Sequence, residues 1–457
     1  MLLKTWVLLA CAVIGSASLA QAATLSDVYA LSLQNDLRLK AAQSAYLAGQ
    51  ESPALARARL LPNVTAQASV THSRATTSTE SSNPFAPVTE NIIDGNGPGF
   101  SIALTQPVFN LAAWHDYRIG TLQARVAGVE LEREKQALIL RVSESYLQTI
   151  TAGAKLAAAR STEDSLRLQL QAAKTKYDLG MARKSAYLQA QAAFDAAAAD
   201  TVVAANTLSV AFDALQVITG AQLDALAALP EDLMALPPAP ADFDAWHTAA
   251  LQNNSELAIA QLKLEAAHQN ALGRAAEHLP TVAASVSYAD GVDHRSYELA
   301  LPDRQTKHGA SVAVTVTLPL YQGGAVAAGA RAANARYSEQ RDLRDGAERS
   351  IVQQAHSSYL NVISGVAAVN ARKAAIASSQ GALEFARKGY DEGVIDMLNV
   401  LDAERTLFRA RQDYADALYS YLIAGLNLKR LAGSLSDSDV AELDRRLDRG
   451  RLVRDVQ

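Results

Sequence analysis

Histidine, cysteine and glycine-rich segments are the first places to look for catalytic or metal-binding chemistry in this 457-residue chain. The eight histidines are scattered, and no two have the His-x-x-x-His spacing that places two ligands on one helix face. Cys11 is the only cysteine, so there is no cysteine ligand set. The segment Gly95 to Gly99 leads into a predicted strand, whereas a phosphate loop precedes a helix. We therefore predict no catalytic site, no metal site and no cofactor, and hence no enzyme.

Charged residues concentrate beside two other glycines, and they offer ion-pair chemistry. Arg183 and Lys184 follow Gly180, whereas acidic residues surround Gly393. These acidic residues are Asp391, Glu392 and Asp396. Exposed ion pairs are each worth only about 0–1 kcal/mol, so contacts between the two sets would be easy to break. The net charge of −5 gives no reason to expect nucleic acid as a partner.

The two glycines are equivalent positions in a sequence that contains the same unit twice. Tyr146, Tyr177, Gly180 and Gly220 return 213 positions later as Tyr359, Tyr390, Gly393 and Gly433. The front ends of the copies are 218 positions apart, as shown by Leu61-Pro62 and Leu279-Pro280. Long internal repetition indicates one architectural unit used twice. The difference between the two offsets, 218 − 213, places a five-residue length change between Pro62 and Pro107 and predicts a loop tip there.

Each copy has the same predicted order of helix, strand, polar loop, strand and long helical hairpin. In the first copy the helix covers about 25–60, and alternating residues predict strands at about 62–71 and 100–107. The polar residues His72 to Gly99 are predicted to form the loop. A proline-free stretch predicts a helix over 110–178, about 100 Å long at 1.5 Å per residue. A second helix is predicted from about 185 to 219, ending at Gly220.

The second copy repeats this order over residues 243–433. The predicted helix covers 243–278, the strands cover about 280–288 and 310–319, and the loop covers Ala289 to Lys307. One long helix reaches about Tyr390, and the last helix ends at Gly433. The remaining divisions are a first copy at 23–228, a proline-rich connector at 229–242 and a charged tail at 434–457, with a short helix from Ser436 or Asp437.

Residues 1–22 are predicted to be a signal peptide. Lys4 precedes an apolar stretch, and Ala20-Gln21-Ala22 supplies small residues for cleavage after Ala22. Leu8 to Cys11 resembles a lipoprotein box, so lipidation of Cys11 is the alternative route. After residue 22, no apolar run is predicted to reach the roughly 20 residues that a membrane-spanning helix needs. The mature chain is expected to be exported.

Four predicted strands cannot close a membrane barrel within one chain. Open sheet edges are not tolerated in lipid, and the smallest single-chain barrels have about eight strands. Three copies would supply twelve strands, together with twelve long alanine-rich helices that can pack into a second cylinder. Helices of roughly 100 Å extend well beyond a membrane core of about 30 Å. The pattern therefore predicts a mainly α, trimeric protein with transmembrane β-strands.

Several segments, in their order and duplicated spacing, carry a resemblance to a known family. They are Leu60-Leu61-Pro62, Leu104 to Phe109, Gln216 to Gly220, Leu318 to Gly324, Gly389-Tyr390-Asp391-Glu392-Gly393 and Asn399-Val400-Leu401-Asp402-Ala403. The chain resembles the TolC family of outer-membrane channel proteins. The resemblance implies a homotrimer with a 12-stranded β-barrel in outer-membrane lipid of a Gram-negative bacterium, continued by a 12-helix α-barrel in the periplasm. It also implies an exit duct for efflux of small molecules or type I protein secretion, docked to a periplasmic adaptor and an inner-membrane transporter.

The resemblance also assigns roles around the two glycine turns. Adaptor docking is implied for Gly180, Met181, Ala182, Gly393, Val394 and Ile395. A periplasmic constriction or gate is implied for Asp402, Asn399, Tyr390, Ser185, Arg183, Lys184 and Asp396. The chain departs from the family pattern, because Asn399 replaces the first of two aspartates, and Ser185, Ala186 and Ile395 replace residues of a tip lock. Pairing of Arg183 and Lys184 with Asp391, Glu392 and Asp396 is the substitute lock that the sequence offers.

Two other classes share part of this pattern. A periplasmic adaptor has long helical hairpins, and a structural or adhesive trimeric envelope protein has long helices. Two alternating strands before each hairpin favour the channel over both. The sequence does not choose between small-molecule efflux and protein secretion, because in such assemblies the transporter selects the cargo.

Overall fold

The computed structural model describes residues 23–79, 89–230, 233–297 and 302–455. The predicted signal peptide, its cleavage site and Cys11 lie outside the described residues. The first copy contains α1 Leu25–Asn35, α2 Leu37–Gln50, α3 Ser52–Ala58, β1 Asn63–Thr79, β2 Thr89–Phe109, α4 Leu111–Asp178 and α5 Lys184–Thr219. The first copy ends with β3 Ala225–Ala228. The second copy contains α6 Phe243–Asn253, α7 Ser255–Ala276, β4 Thr281–Tyr297, β5 Asp303–Thr317, α8 Ala325–Asp391 and α9 Met397–Leu431, and the tail contains α10 Asp437–Asp444 and β6 Asp448–Arg454.

The first predicted helix of each copy is divided, so the single helices expected over 25–60 and 243–278 are wrong in detail. Asp36 is extended, its backbone N–H donates to the Ser32 carbonyl, and its carboxylate accepts from the Leu39 N–H at 2.7 Å. One residue thus caps the end of α1 and the start of α2. In the second copy Asn254 is extended at the same place, and its Nδ2 donates to the Leu431 carbonyl at the end of α9 at 2.9 Å.

The strands are longer than predicted. The loop predictions are wrong for His72 to Thr79, Thr89 to Gly99, Ala289 to Tyr297 and Asp303 to Lys307, which lie in strands, and residues 80–88 and 298–301 of the predicted loops lie outside the described residues. β1 and β2 pair from Asn63↔Thr105 to Thr79↔Thr89, and β4 and β5 pair from Thr281↔Thr317 to Arg295↔Asp303. The outer halves contain polar residues on both faces, so they have no apolar–polar alternation. Strand pairing uses backbone groups, and threonine fits an extended backbone, so these segments remain in the sheet.

The four long strands form an antiparallel sheet in the order β1-β2-β4-β5, and the sheet has two different faces. Directly opposed residues point to the same face. One row joins Val64, Leu104, Val286 and Val312, and the next row on that face joins Ala66, Ile102, Tyr288 and Ala310. The large apolar side chains of these rows are exposed. The opposite face has rows such as Thr65, Ala103, Ser287 and Ser311. The sheet therefore shows an exposed apolar face and a face of small and polar residues.

The chain divides into two compact units. Residues 42–132 and 255–349 form the unit that holds the sheet, and 23–41, 133–254 and 350–455 form the unit that holds the ends of both hairpins. Tyr146 is fully buried in the second unit, where its hydroxyl donates to the Ala227 carbonyl at 2.7 Å. Burial raises the pKa of Tyr146, so the hydroxyl remains a donor. The equivalent Tyr359 donates to the Ala241 carbonyl at 2.7 Å. Both tyrosines therefore hold backbone segments onto long helices.

The tail contains one predicted element and one that the sequence analysis missed. Helix α10 begins after Ser436, whose side chain forms a capping box with Asp439, as the sequence predicts. β6 then pairs antiparallel with β3. Val453 of β6 packs over Gly153 of α4, where an added Cβ would lie 2.4 Å from Val453 Cγ1. The tail strand is rich in arginine and short, so its sequence gives no alternating apolar signal.

Helix α5 is long and apolar enough to cross a membrane, judged by length and composition alone. The expectation that no apolar run after residue 22 reaches that length is therefore wrong for this helix. Its many alanines raise the hydropathy without adding bulk. Ala190, Ala197 and Ala211 are buried in the unit of the hairpin ends, so part of this apolar surface serves helix packing.

Candidate functional site at the hairpin tips

The two hairpin turns have the same backbone geometry. Gly180, between α4 and α5, has a φ of 72°, and Gly393, between α8 and α9, has a φ of 78°. In the first turn the N–H groups of Met181 and Ala182 both donate to the Lys176 carbonyl. In the second turn the two equivalent N–H groups donate to the Gly389 carbonyl. Glycine adopts a positive φ without the steric cost of a Cβ, so these turns explain why glycine stands at both positions.

Each turn also presents one apolar side chain to solvent. Met181 is 75% exposed, and Val394, its equivalent 213 positions later, is 76% exposed. The next residues differ, because Ala182 is small whereas Ile395 is half-buried against Gly389. An added Cβ at Gly389 would lie 2.6 Å from Ile395 Cδ1. The second turn is therefore closed by a packed isoleucine, and the first is not.

The two hairpins pack together just behind their turns. A core of small and aliphatic side chains from all four long helices consists of Ala173, Ala190, Leu383, Ala386, Met397, Val400 and Leu407. Ala186 and Tyr390 are partly buried against this core. Tyr177 lies outside it and stacks on Tyr187, with ring centroids 5.9 Å apart. The gate candidate Tyr390 thus packs against the tip core, and the gate candidate Ser185 is exposed.

Within one chain, the acidic turn forms an ion pair with Lys176 and not with the predicted cations of the first turn. Lys176 Nζ lies 3.4 Å from Asp391 Oδ1 and 4.5 Å from the ring centroid of Tyr390. Arg183 and Lys184 are exposed, and neither forms an ion pair with another residue in the described part of the chain. Arg183 is the extended residue that precedes α5, so its side chain leaves from outside the helix. These pairs are therefore not formed within one chain, and the substitute lock between neighbouring tips stays a prediction.

The two constriction candidates lie on the exposed side of α9. The side chain of Asp402 is 71% exposed and 3.9 Å from Arg405 Nη1, and Asn399 is exposed one turn earlier. The buried positions of this part of the helix are Met397, Val400, Glu404 and Leu407. Asp402 and Asn399 therefore share a surface that points away from the tip core. Asp396 is the exposed N-cap residue, where a negative charge is favourable.

A buried carboxylate that the sequence analysis missed links the two hairpins. Glu404 of α9 is 4% exposed and contacts three polar side chains. Ser165 and Gln169 of α4 donate to its Oε1, the latter at 2.9 Å, and Arg387 of α8 also donates to this oxygen. Glu404 stands at helical spacing among Val400 and Leu407, so an acid within an apolar stripe was the available signal. A buried carboxylate is stable only while its partners remain in place.

The sequence of this chain matches a known family. The family model described as outer membrane efflux protein matches residues 28–221 and 246–434. The chain belongs to this family. The two matched ranges include both hairpins and all four long strands, and the residues between them include the proline-rich connector.

Relatives within and around the family agree with this assignment. The outer membrane protein TolC of Escherichia coli strain K12 is 29% identical over 447 residues, which cover 95% of this chain and 87% of that protein. The alkaline protease secretion protein AprF of Pseudomonas aeruginosa is 28% identical over 420 residues, which cover 91% and 85%. The solved outer membrane protein VceC of Vibrio cholerae superposes with a TM-score of 0.72 at 16% identity, covering 90% of this chain and 96% of that chain. The likeness to VceC shows the fold alone. This chain is an outer-membrane exit duct of the family.

Proposed function

We propose that three copies of this chain form a passive, non-enzymatic channel across the outer membrane, continued by a helical tunnel in the periplasm. The observation that carries the proposal is the four-stranded sheet, with an exposed apolar face and a small, polar face. β1 and β5 are the outer strands of this sheet, so each leaves one backbone edge without a strand partner among the described residues. Exposed edges are not stable in lipid, and pairing with neighbouring copies removes them. Three copies then give a barrel of twelve strands.

Helix α5 supports association with further copies. Val203, Val210 and Val217 are all exposed, and they recur every seven residues along this helix. A seven-residue apolar repeat is the pattern of helices that pack side by side. The neighbouring copies would cover these valines and close the twelve-helix tunnel. This face therefore supports the homotrimer independently of the sheet.

The hairpin turns are the proposed docking surface for a periplasmic adaptor, which in turn joins an inner-membrane transporter. Gly180, Met181 and Ala182 form one turn, and Gly393, Val394 and Ile395 form the other. The exposed Met181 and Val394 offer apolar contacts at equivalent positions. Around them, the first turn is basic and the second acidic, so an adaptor with alternating charge fits both.

The gate is proposed at the same ends of the hairpins. Three Asp402 side chains would surround the tunnel axis, with the uncharged Asn399 beside them. Tyr390 and Ser185 would border this constriction, with Arg183, Lys184 and Asp396 available for contacts between neighbouring copies. Glu404 would hold the two hairpins of each copy together in the closed state. Only Asp402 then contributes fixed charge to the narrow opening.

Protein secretion is the cargo class that similarity favours. AprF, named for alkaline protease secretion, and PrtF of Dickeya chrysanthemi, named for proteases secretion, match 91% and 93% of this chain. These two relatives are 28% and 27% identical to this chain, whereas the outer membrane efflux protein BepC of Brucella suis is 21% identical over 92% of the chain and the probable efflux pump protein SepC of Pseudomonas putida is 25% identical over 68%. A deletion strain distinguishes the classes: secreted proteins should disappear from the medium while susceptibility to small toxic compounds stays unchanged. Increased susceptibility with normal secretion would assign the duct to efflux.

Protease treatment of intact cells tests the topology. In the proposed orientation, the strand ends at Thr79, Thr89, Tyr297 and Asp303 lie on the outer side of the membrane. Cleavage in whole cells should occur near these strand ends, whereas sites inside 120–210 should be cut only after the outer membrane is opened. Cleavage inside 120–210 in intact cells would reject the orientation.

A further inference from the structure

The apolar face of the sheet ends at a row of histidines. Two residues beyond Val70, the row His72, Asn96, His294 and Arg304 crosses all four strands. His308 lies on the same face, opposite Asp290. Three of the eight histidines in the chain thus lie on this face: His72 and His294 stand beyond the apolar rows, and His308 stands two rows nearer the helices, in the row of Ala68, Phe100 and Asp290. Their side chains and that of Arg304 are exposed.

The charges on this face balance when the histidines are neutral. Arg74 and Arg304 are the described cations, and Asp94 and Asp290 are the described anions, so two positive and two negative charges cancel. Both aspartates already have partners: Arg74 Nε lies 3.5 Å from Asp94, and the Tyr288 hydroxyl donates to Asp290 at 3.4 Å. Protonation of the three histidines would add three positive charges to this face.

The position of this row in the sheet indicates which anion it contacts. In the proposed channel the apolar rows face lipid tails, and the histidines continue the same face toward the ends of β1 and β5 that lie far from the helices. The next chemical group beyond lipid tails is the headgroup. Headgroup phosphates carry the negative charge that a row of imidazolium and guanidinium groups complements.

We propose that the row of His72, His294 and Arg304, together with His308 two rows nearer the helices, holds phosphate headgroups of the outer leaflet, and that it binds them more tightly in acid. Other groups face the histidines. His72 is next to Asn96 across the strand pair and near Arg74 on its own strand. His294 lies between Asn96 and Arg304, and His308 faces Asp290. The proposal rests on the proposed function, because it requires this sheet face to be in lipid.

Titration of the purified protein with short-chain phosphatidylglycerol in neutral detergent micelles tests the row. Thermal unfolding reports binding, since a ligand of the folded state raises the Tm. We expect binding on the order of tenfold tighter at about pH 5.5 than at about pH 8, because imidazolium groups attract phosphate and neutral imidazoles do not. Phosphatidylcholine should not stabilise the protein at either pH. Inorganic phosphate at equal concentration should not compete, because it lacks the acyl chains that contact the apolar rows beside the histidines.

Variants separate the row from other effects of pH. The triple variant His72→Gln, His294→Gln, His308→Gln should lose the gain in acid, whereas His278→Gln, an exposed histidine in another part of the same unit, should keep it. Replacing the same three histidines by lysine should give tight binding at both pH values. An unchanged pH effect in the glutamine variant would overturn the proposal, and so would competition by inorganic phosphate.

Reconstitution into bilayers distinguishes the possible failures. A wild-type protein that never inserts refutes the proposed function as well as the row. A protein that inserts and conducts, yet binds phosphatidylglycerol equally at both pH values, refutes the row alone.

Discussion

The two hairpin turns share their backbone but not their charge. Gly180 and Gly393 have φ values of 72° and 78°, and the same pattern of hydrogen bonds closes both turns. Arg183 and Lys184 follow the first glycine, whereas Asp391, Glu392 and Asp396 surround the second. Duplication has therefore kept the turn that glycine makes possible, while the side chains around it have diverged. In our account the common backbone serves docking, and the different charges serve contacts between hairpins.

The largest expected effect comes from breaking the shared backbone. Gly180→Val and Gly393→Val each place a β-branched residue at a positive φ, which costs on the order of 1–3 kcal/mol locally. Export should be abolished in both variants, because the altered turns no longer fit the adaptor. The trimer should still assemble, because a Cβ added at either glycine has no neighbour within 4 Å. Secretion assays and gel analysis measure the two outcomes.

Gly381→Val is the matched control for the turn variants. Gly381 is exposed within helix α8, has no neighbour within 4 Å of an added Cβ and does not require a positive φ. Export should persist in this variant. Persistent export in both turn variants would remove the docking role from the shared backbone.

A smaller effect is expected from Glu404, which joins the two hairpins of one chain. Glu404→Gln keeps the shape but places an uncharged amide beside Arg387, which weakens the closed tip by on the order of 1–3 kcal/mol. Single-channel recording should show longer or more frequent openings. Glu384→Gln, an exposed acid on α8, serves as the control. Equal gating in both variants would show that the buried contact is structural only.

Much of this site was predictable, and the missed parts have physical reasons. Gly180 and Gly393 could be placed at turns because a positive φ favours glycine, and the repeat identified them as equivalent. Val64 and Val312 marked strands by alternation, but His72 to Thr79 gave no contrast between faces, so the strand was cut short. Glu404 was missed because its partners come from α4 and α8, more than 200 positions apart along the chain (387 − 165).

A further effect is expected from charge at the proposed constriction. Asp402→Ala should weaken cation selectivity in planar bilayers, since like charges around one axis favour cations. Asn399→Asp should strengthen it, because three copies would then place six carboxylates instead of three near the opening. Asp200→Ala, an exposed acid on α5, should leave selectivity unchanged. If neither constriction variant alters selectivity, Asp402 is a surface residue outside the tunnel.

The smallest effect is expected for the exposed pair of Lys176 and Asp391. Asp391→Lys should destabilise the closed tip by less than about 1 kcal/mol, because exposed ion pairs contribute little. The double variant Lys176→Asp, Asp391→Lys should restore wild-type gating. Arg183→Glu is the comparison variant. A larger effect from Arg183→Glu would show that the main lock is formed between neighbouring copies.

The mass of the purified protein in detergent tests most directly whether three chains form the channel. Light scattering, corrected for bound detergent, should give three chains per particle, and boiling in denaturant should convert that species to single chains. The proposed barrel needs three copies, because four strands from each copy would give the twelve strands that close it. A particle of one or two folded chains with an intact sheet would contradict the account.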